Sequence, residues 1–255
     1  MAKTTTKTVT KTTTKTKKKV TASQAVDITV ILDRSGSMGS TKQDAIGGFN
    51  EFVSTQKTQP GVAVLTLTQF DDQFQTDYTA VPIADVQPLN EFTYQPRGST
   101  ALHDAMGRTI STIEQRVNAI KKADRPNVVV LIITDGGENA SREYSQRQVN
   151  DMISRLRNAG GYEFIFIGAN QDAIATGATL GISAKNSLSY AANAVGTQNL
   201  FRSVSNNVSA YRSGGDATSL QFSDADRQTQ VDLGAVASNV IAAQATKLTS
   251  RSKSA

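Results

Sequence analysis

Asp27-Ile28-Thr29-Val30-Ile31-Leu32 runs directly into Asp33-Arg34-Ser35-Gly36-Ser37-Met38. The first of these segments is short, mostly apolar and rich in β-branched residues, which reads as a strand. The second places one carboxylate and two hydroxyls at alternate positions, Asp33, Ser35 and Ser37. Three oxygen donors thus share a short span of backbone at a strand end. Hard divalent cations such as Mg²⁺ take oxygen ligands and keep part of their hydration shell. The same pentapeptide is also compatible with a polar turn leading into a helix, so on its own it leaves both readings open.

Two later segments bear on the choice. Gly98-Ser99-Thr100 precedes an amphipathic stretch over residues 101–122. Thr134-Asp135-Gly136-Gly137 closes a second apolar run, Val128-Val129-Val130-Leu131-Ile132-Ile133. A threonine and a second aspartate therefore stand on two more turns beside strand ends or helix starts. In these residues the chain resembles the von Willebrand factor A family, in its stand-alone bacterial and phage form. Asp33, Ser35, Ser37, Thr100 and Asp135 match, in order and loop context, the five residues of that family's metal-ion-dependent adhesion site. The segments 100–105 and 133–136 resemble its usual surroundings, and the likeness spans residues 26–213.

The resemblance implies a site for Mg²⁺ or Mn²⁺. The serines and the threonine would touch the ion directly, and the aspartates would often act through water. It also implies an open coordination position that accepts an acidic residue of a partner protein. Arg34, Met38, His103, Glu138 and Asn139 are the candidates for the rim around that position.

The alternation along the chain predicts a fold that agrees with this site. Strand-like runs fall at 27–32, 62–70, 73–79, 127–134 and 163–169, with Ser189-Tyr190-Ala191 as a last edge. Helical periodicity falls at 41–57, 101–122, 145–159, 170–180 and 197–213. Ser40 or Thr41 is the expected cap of the first helix and Asn170 that of the fourth. Asp71-Asp72 joins the second and third strands closely enough for a hairpin. The remaining strands are separated by helices, which requires right-handed crossovers. The expected fold is α/β: a doubly wound, mainly parallel sheet with one antiparallel edge strand and helices on both faces. Ligands of such sheets sit beyond the carboxyl ends of the strands, near the switch point, where Asp33 and Asp135 fall.

Charge is divided unevenly. The 255 residues hold 27 Lys and Arg against 22 Asp and Glu, a net +5. Lys3, Lys7, Lys11, Lys15, Lys17, Lys18 and Lys19 lie in a Thr/Lys low-complexity segment without a single acid. Lys247, Arg251 and Lys253 lie in the last nine residues. Without these ten basic residues the middle carries 17 basic and 22 acidic groups, or −5. The division expected is a disordered basic arm over 1–22, the α/β domain over 23–213, and an extension over 214–255. In that extension a short segment over 222–227 docks and Val231 to Ala243 forms a small helix or stays loose.

Composition excludes several classes. Without cysteine there is neither a disulfide framework nor a thiolate metal site. No 18-residue apolar run and no signal-peptide pattern is present, so the expectation is a cytoplasmic protein with no membrane partner; the resemblance implies a bacterial or phage-infected cell. Association with a virion is part of the same expectation. Neither phosphate-cradling glycine motif occurs. His103 is the only histidine, which leaves no zinc-hydrolase ligand set. A metal-dependent hydrolase is therefore the third choice, and the chain is not expected to be an enzyme. Asp71, Asp72 and Asp77 are candidates for a second cation, although a solvated hairpin explains them as well. Asp104 is expected to support the start of its helix electrostatically. The alternative to a metal-dependent interaction module is a virion- or nucleic-acid-associated protein. It would act through the lysine arm, which binds phosphates without sequence preference.

Overall fold

The computed structural model describes residues 25–236. The lysine arm, the three basic residues near the other end and the stretch beyond Val236 lie outside these residues.

Six strands form one sheet in the order β3-β2-β1-β4-β5-β6. They are β1 (Val26–Asp33), β2 (Ala63–Phe70), β3 (Phe74–Pro82), β4 (Asn127–Thr134), β5 (Tyr162–Ala169) and β6 (Ser187–Tyr190). All neighbours pair in parallel except β2 and β3, which form the antiparallel hairpin. The central strands are buried on both faces, which explains their nearly continuous apolar sequence. The chain leaves β1 toward β2 on one side and later returns to β4 on the other. The switch point therefore lies between β1 and β4, with Leu32 opposite Ile133 at its upper end.

Alternate residues of each strand feed two cores. Val26, Ile28, Val30 and Leu32 pack with α1 (Lys42–Lys57) and α5 (Ala194–Arg212). Val128, Val130 and Ile132 pack with α2 (Leu102–Asn118) and α3 (Gln146–Ala159), where Ala173 of α4 (Ala173–Thr179) also lies. Helices thus cover both faces. On the first face α1 meets α5 so closely that a side chain at Gly48 would overlap the ring of Phe201.

Several boundaries differ from those the periodicity predicts. The second helix stops at Asn118, and the Arg125 guanidinium takes the carbonyls of Asn118 and Ile120. That supplies partners for helix-end carbonyls, which otherwise have none. The fourth helix is capped by Asp172, whose carboxylate accepts the N–H groups of Ile174 and Ala175. Asn170 instead adopts a left-handed backbone, φ 54°. Neither Ser40 nor Thr41 caps α1 with its side chain; both hydroxyls close the preceding 3₁₀ turn over Gly36–Thr41.

Beyond residue 213, Leu220 and Phe222 enter the first core. A helix not expected there, α6 (Asp224–Asp232), starts where Ser223 and Asp226 form a reciprocal capping box; of the segment 231–243, residues 237–243 lie outside the described residues. Two polar side chains of α6 are buried against the β6 border. Arg227 donates to the carbonyls of Ser187 and Ala184, and Gln230 accepts from Ala191 N and donates to Gly196 O. Among the described residues no helix is long and apolar enough to cross a membrane.

Candidate metal centre

Asp33 is the last residue of β1 and Asp135 follows the last residue of the adjacent β4. A chain of hydrogen bonds joins them. The Ser35 N–H donates to Asp33 Oδ1 at 2.6 Å. Ser35 Oγ lies 3.1 Å from Ser37 Oγ, and Ser37 Oγ donates to Asp135 Oδ1 at 2.6 Å. Thr134 Oγ1 donates to Asp33 Oδ2 at 2.6 Å. Four of the five residues named from the sequence are thus one connected group.

Thr100 enters through the backbone. Gly36 N donates to Gly98 O at 3.1 Å, which lays the Thr100 loop beside the Ser35–Ser37 turn. The Thr100 N–H donates to Asn139 Oδ1, and its carbonyl accepts from Asn139 N and Ala140 N. Its hydroxyl makes no hydrogen bond among the described residues, which leaves both lone pairs for a ligand.

The electrostatics set this group apart. Burial lifts the Asp33 carboxyl from an ordinary 3.8 to about 6, against the opposing hydrogen bonds of Thr134 and Ser35, and the nearby Asp135 charge adds to the rise. Burial also raises Asp135, although Ser37 holds it down in part. Burial and the same two carboxylates push the buried Tyr190 phenol up. Neither Asp33 nor Asp135 has a basic partner among the described ion pairs, because Arg34 and Arg97 both turn to Asp71. Two partly desolvated acids without a cation are a costly arrangement.

A divalent cation would relieve that cost, and the donors fit one. They are all hard oxygens. Adjacent ligands of an octahedral Mg²⁺ at about 2.1 Å stand about 3 Å apart, and Ser35 Oγ and Ser37 Oγ are 3.1 Å apart.

The rim differs from expectation. Arg34 and Met38 are buried, the first by its pairing with Asp71 and the second by packing into the first core. Glu138 turns inward and accepts from His103 N, Ala140 N, Ser141 N and Ser141 Oγ. His103 Nδ1 lies 3.8 Å from Glu138 Oε2, and burial lowers its pKa. Asp104 reaches beyond its own helix to the N–H groups of Arg142, Glu143 and Tyr144, while Ser141 Oγ takes the Asp104 N–H. Asp71, Asp72 and Asp77 do not form a second site. Asp71 is fully buried with two arginines, Asp77 accepts from Gln69 and Gln75, and no group of three or more His, Asp or Glu is placed to hold a metal among the described residues.

Two residues at the site, Thr134 and Tyr94, and the exposed Phe92 escaped the sequence reading. Thr134 carried a signal, a hydroxyl beside Asp135 at a strand end. Tyr94, whose hydroxyl donates to Asp33 O at 2.6 Å, carried none. Phe92 is 86% exposed on a turn stitched by Asn90 and Thr93. Lys42 and Gln43 tie the same turn to the start of α1.

Comparison with known proteins agrees with the fold. No curated protein matches the chain. A pilus adhesin, SpaC from Lactobacillus rhamnosus GG, is similar with a TM-score of 0.56 at 11% identity, covering 74% of this chain and 31% of that one. The proximal thread matrix protein 1 of the mussel byssus, described with a zinc-occupied MIDAS motif, gives a TM-score of 0.53 at 17% identity over 74% of this chain and 46% of that one. A von Willebrand factor type A protein from Catenulispora acidiphila gives 0.50 at 15% identity, over 77% and 44%. The chain spans less than half the length of each of these proteins. At such identities they speak for the fold alone. The family model of the von Willebrand factor type A domain matches residues 27–207, so the chain belongs to that family.

Proposed function

We propose that the protein is a divalent-metal-dependent protein-interaction module, with Asp33, Ser35, Ser37, Thr100 and Asp135 holding Mg²⁺ or Mn²⁺. The observation that carries the reading is the hydrogen-bonded run from Asp33 through Ser35 and Ser37 to Asp135, with both acids buried and neither paired to a base. When bound, the ion supplies a positive centre with a coordination position for a carboxylate of the partner. Only two of the five side chains are anionic, so the site is not over-neutralised and a third carboxylate still gains by approaching. Asn139 and Glu138 hold the Thr100 loop and the first turn of α2 in place, which keeps the opening fixed. Beside Thr100 a polar cleft of about 550 Å³, lined in part by Asp72, Ser99, Asn139 and Arg142, gives the partner further polar contacts.

The relatives bear on this reading only through their descriptions: one is an adhesin and another carries zinc in the corresponding motif. The test has two parts. Titration calorimetry of the full chain with Mg²⁺ and Mn²⁺ reads ion binding, and Asp33→Ala should abolish it. Pull-down from the native host lysate in Mg²⁺, Mn²⁺ or EDTA then reads the partner. Release by EDTA and by Asp135→Ala is expected, and a partner that stays bound in EDTA would refute metal-bridged recognition.

A further inference from the structure

Asp71 lies just past the end of β2 with no exposed surface, and its carboxylate gathers both loops that flank the metal centre. Its Oδ2 accepts from Arg34 Nε at 3.1 Å and from Arg97 Nε at 2.9 Å. Its Oδ1 accepts from Gln73 N at 2.5 Å. Arg34 stands between Asp33 and Ser35. Arg97 stands three residues before Thr100. One carboxylate therefore grips a guanidinium from the first loop and another from the second. One further donor of each arginine is used: Arg34 Nη1 bonds Gln75 Oε1 at 2.8 Å and Arg97 Nη2 bonds Gln73 Oε1 at 3.1 Å.

The backbone runs the same way. Arg97 N donates to Arg34 O at 2.8 Å, and Ala101 N donates to Asp71 O at 2.9 Å. Asp71 thus holds the segment before Thr100 with its side chain and the segment after it with its carbonyl. The fit is close at Gly98, where φ is +65° and an added Cβ would overlap the Asp72 carboxylate.

We infer that Asp71 is a positioning residue for the metal centre: it sets the spacing between the Asp33–Ser35–Ser37 loop and the Thr100 loop, and through that spacing the affinity for a divalent cation. The inference rests on the metal-site reading above. The physical reason is charge. Without the carboxylate a buried guanidinium, Arg34, and a half-exposed one, Arg97, are left facing each other across the loops with no anion between them. An asparagine keeps the volume but offers a single acceptor oxygen, too few for Gln73 N and both arginines together. Its amide would also present donors to a guanidinium, which has no acceptor. The loops would part, and Thr100 would move away from the Asp33–Ser35–Ser37 turn. A multidentate site tolerates about 0.5 Å of such drift.

The test is titration of the full chain with Mg²⁺ and Mn²⁺, joined to water-proton relaxation of the Mn²⁺-bound form, which reports the water molecules left on the ion. The variants are Asp71→Asn, Arg97→Met, Thr100→Ala and the double variant Asp71→Asn/Thr100→Ala. Asp71→Asn and Arg97→Met should each weaken ion binding about 10–100-fold, the range found for groups that orient ligands. The Mn²⁺ they still bind should carry more water, as in Thr100→Ala. The double variant should be within about twofold of Thr100→Ala alone, since both changes remove the same ligand. The Arg97 side chain is 51% exposed, so Arg97→Met decides the matter if Asp71→Asn does not fold. Affinity within about twofold of wild type in Arg97→Met and in any folded Asp71→Asn would overturn the inference. So would a double variant whose loss is the full product of the single losses. A wild-type chain that binds neither ion would instead overturn the site itself.

Discussion

Thr134 and Asp33 are the last residues of adjacent parallel strands, and the hydroxyl of the first donates to Oδ2 of the second at 2.6 Å with both residues fully buried. Because the Ser35 N–H takes Oδ1, the orientation of the Asp33 carboxylate is set on both sides. The lone pairs left over are the ones available to an ion.

Thr134→Val keeps the shape and removes that donor. The Asp33 carboxyl should rise further, because the Thr134 hydrogen bond is what opposes the effect of burial most. An unpaired buried oxygen costs about 1–3 kcal/mol. Ion affinity should fall about tenfold, in line with losses at ligand-orienting groups. Calorimetric titration and a thermal melt of the same sample check both.

Stability of the ion-free protein should depend on pH through Asp33. Its folded carboxyl titrates near 6 against 3.8 in an ordinary environment. The folded state therefore binds the proton more tightly than the unfolded chain. The associated stability is present below pH 3.8 and is lost as pH rises through about 6, in total about 3 kcal/mol. In EDTA, Asp33→Asn should melt higher than wild type at pH 7 and should not respond to Mg²⁺. Wild type should gain more from Mg²⁺ at pH 7 than at pH 5, because protons compete for the same carboxylate. Melts at the two pH values with and without the ion read all three effects.

Glu138 makes the opposite case. Burial would raise its carboxyl, but the hydrogen bonds from Ser141, His103 and Ala140 outweigh it and hold the group below the usual range. Its contribution is present above that range and is lost as pH falls through the depressed value. Glu138→Ala should cost about 1–3 kcal/mol by stripping several donors at once. Amide exchange should quicken at Ala140, Ser141 and His103, measured by mass spectrometry near neutral pH.

Gly48→Ala tests packing away from the site. The added methyl would overlap the Phe201 ring, so α1 and α5 must shift. Overpacking of this kind costs about 1–3 kcal/mol. Ion affinity should stay unchanged, which denaturant unfolding and a titration together establish.

The fold was readable because its signals are local and periodic. β1 and β4 are apolar runs that end in Asp33 and Thr134-Asp135, and the alternation with helices leaves few topologies. The boundaries that moved were decided by side chains from elsewhere. Arg125 ends α2 from beyond its C-terminus, and the Asp172 cap displaced the expected Asn170. The grouping of Asp33, Ser35, Ser37 and Asp135 was legible, because motif and strand end coincide there. Its supports were not. Asp71 looks like half of a solvated turn until Arg34 and Arg97, distant in sequence, converge on it. Arg34 and Met38 stand in the loop as rim residues would, yet their side chains turn inward. Such long-range polar pairings leave no periodicity to read.

The side chains of Arg227 and Gln230 occupy two main-chain groups at the β6 border, Ser187 O and Ala191 N, that would otherwise be open to an incoming strand. A lateral border with unpaired N–H and C=O groups is a template for edge-to-edge association between molecules. By covering it with side chains rather than another strand, α6 acts as a guard against polymerisation. A domain trimmed at residue 213 would lose that guard together with Leu220 and Phe222, and its tendency to associate should rise with concentration.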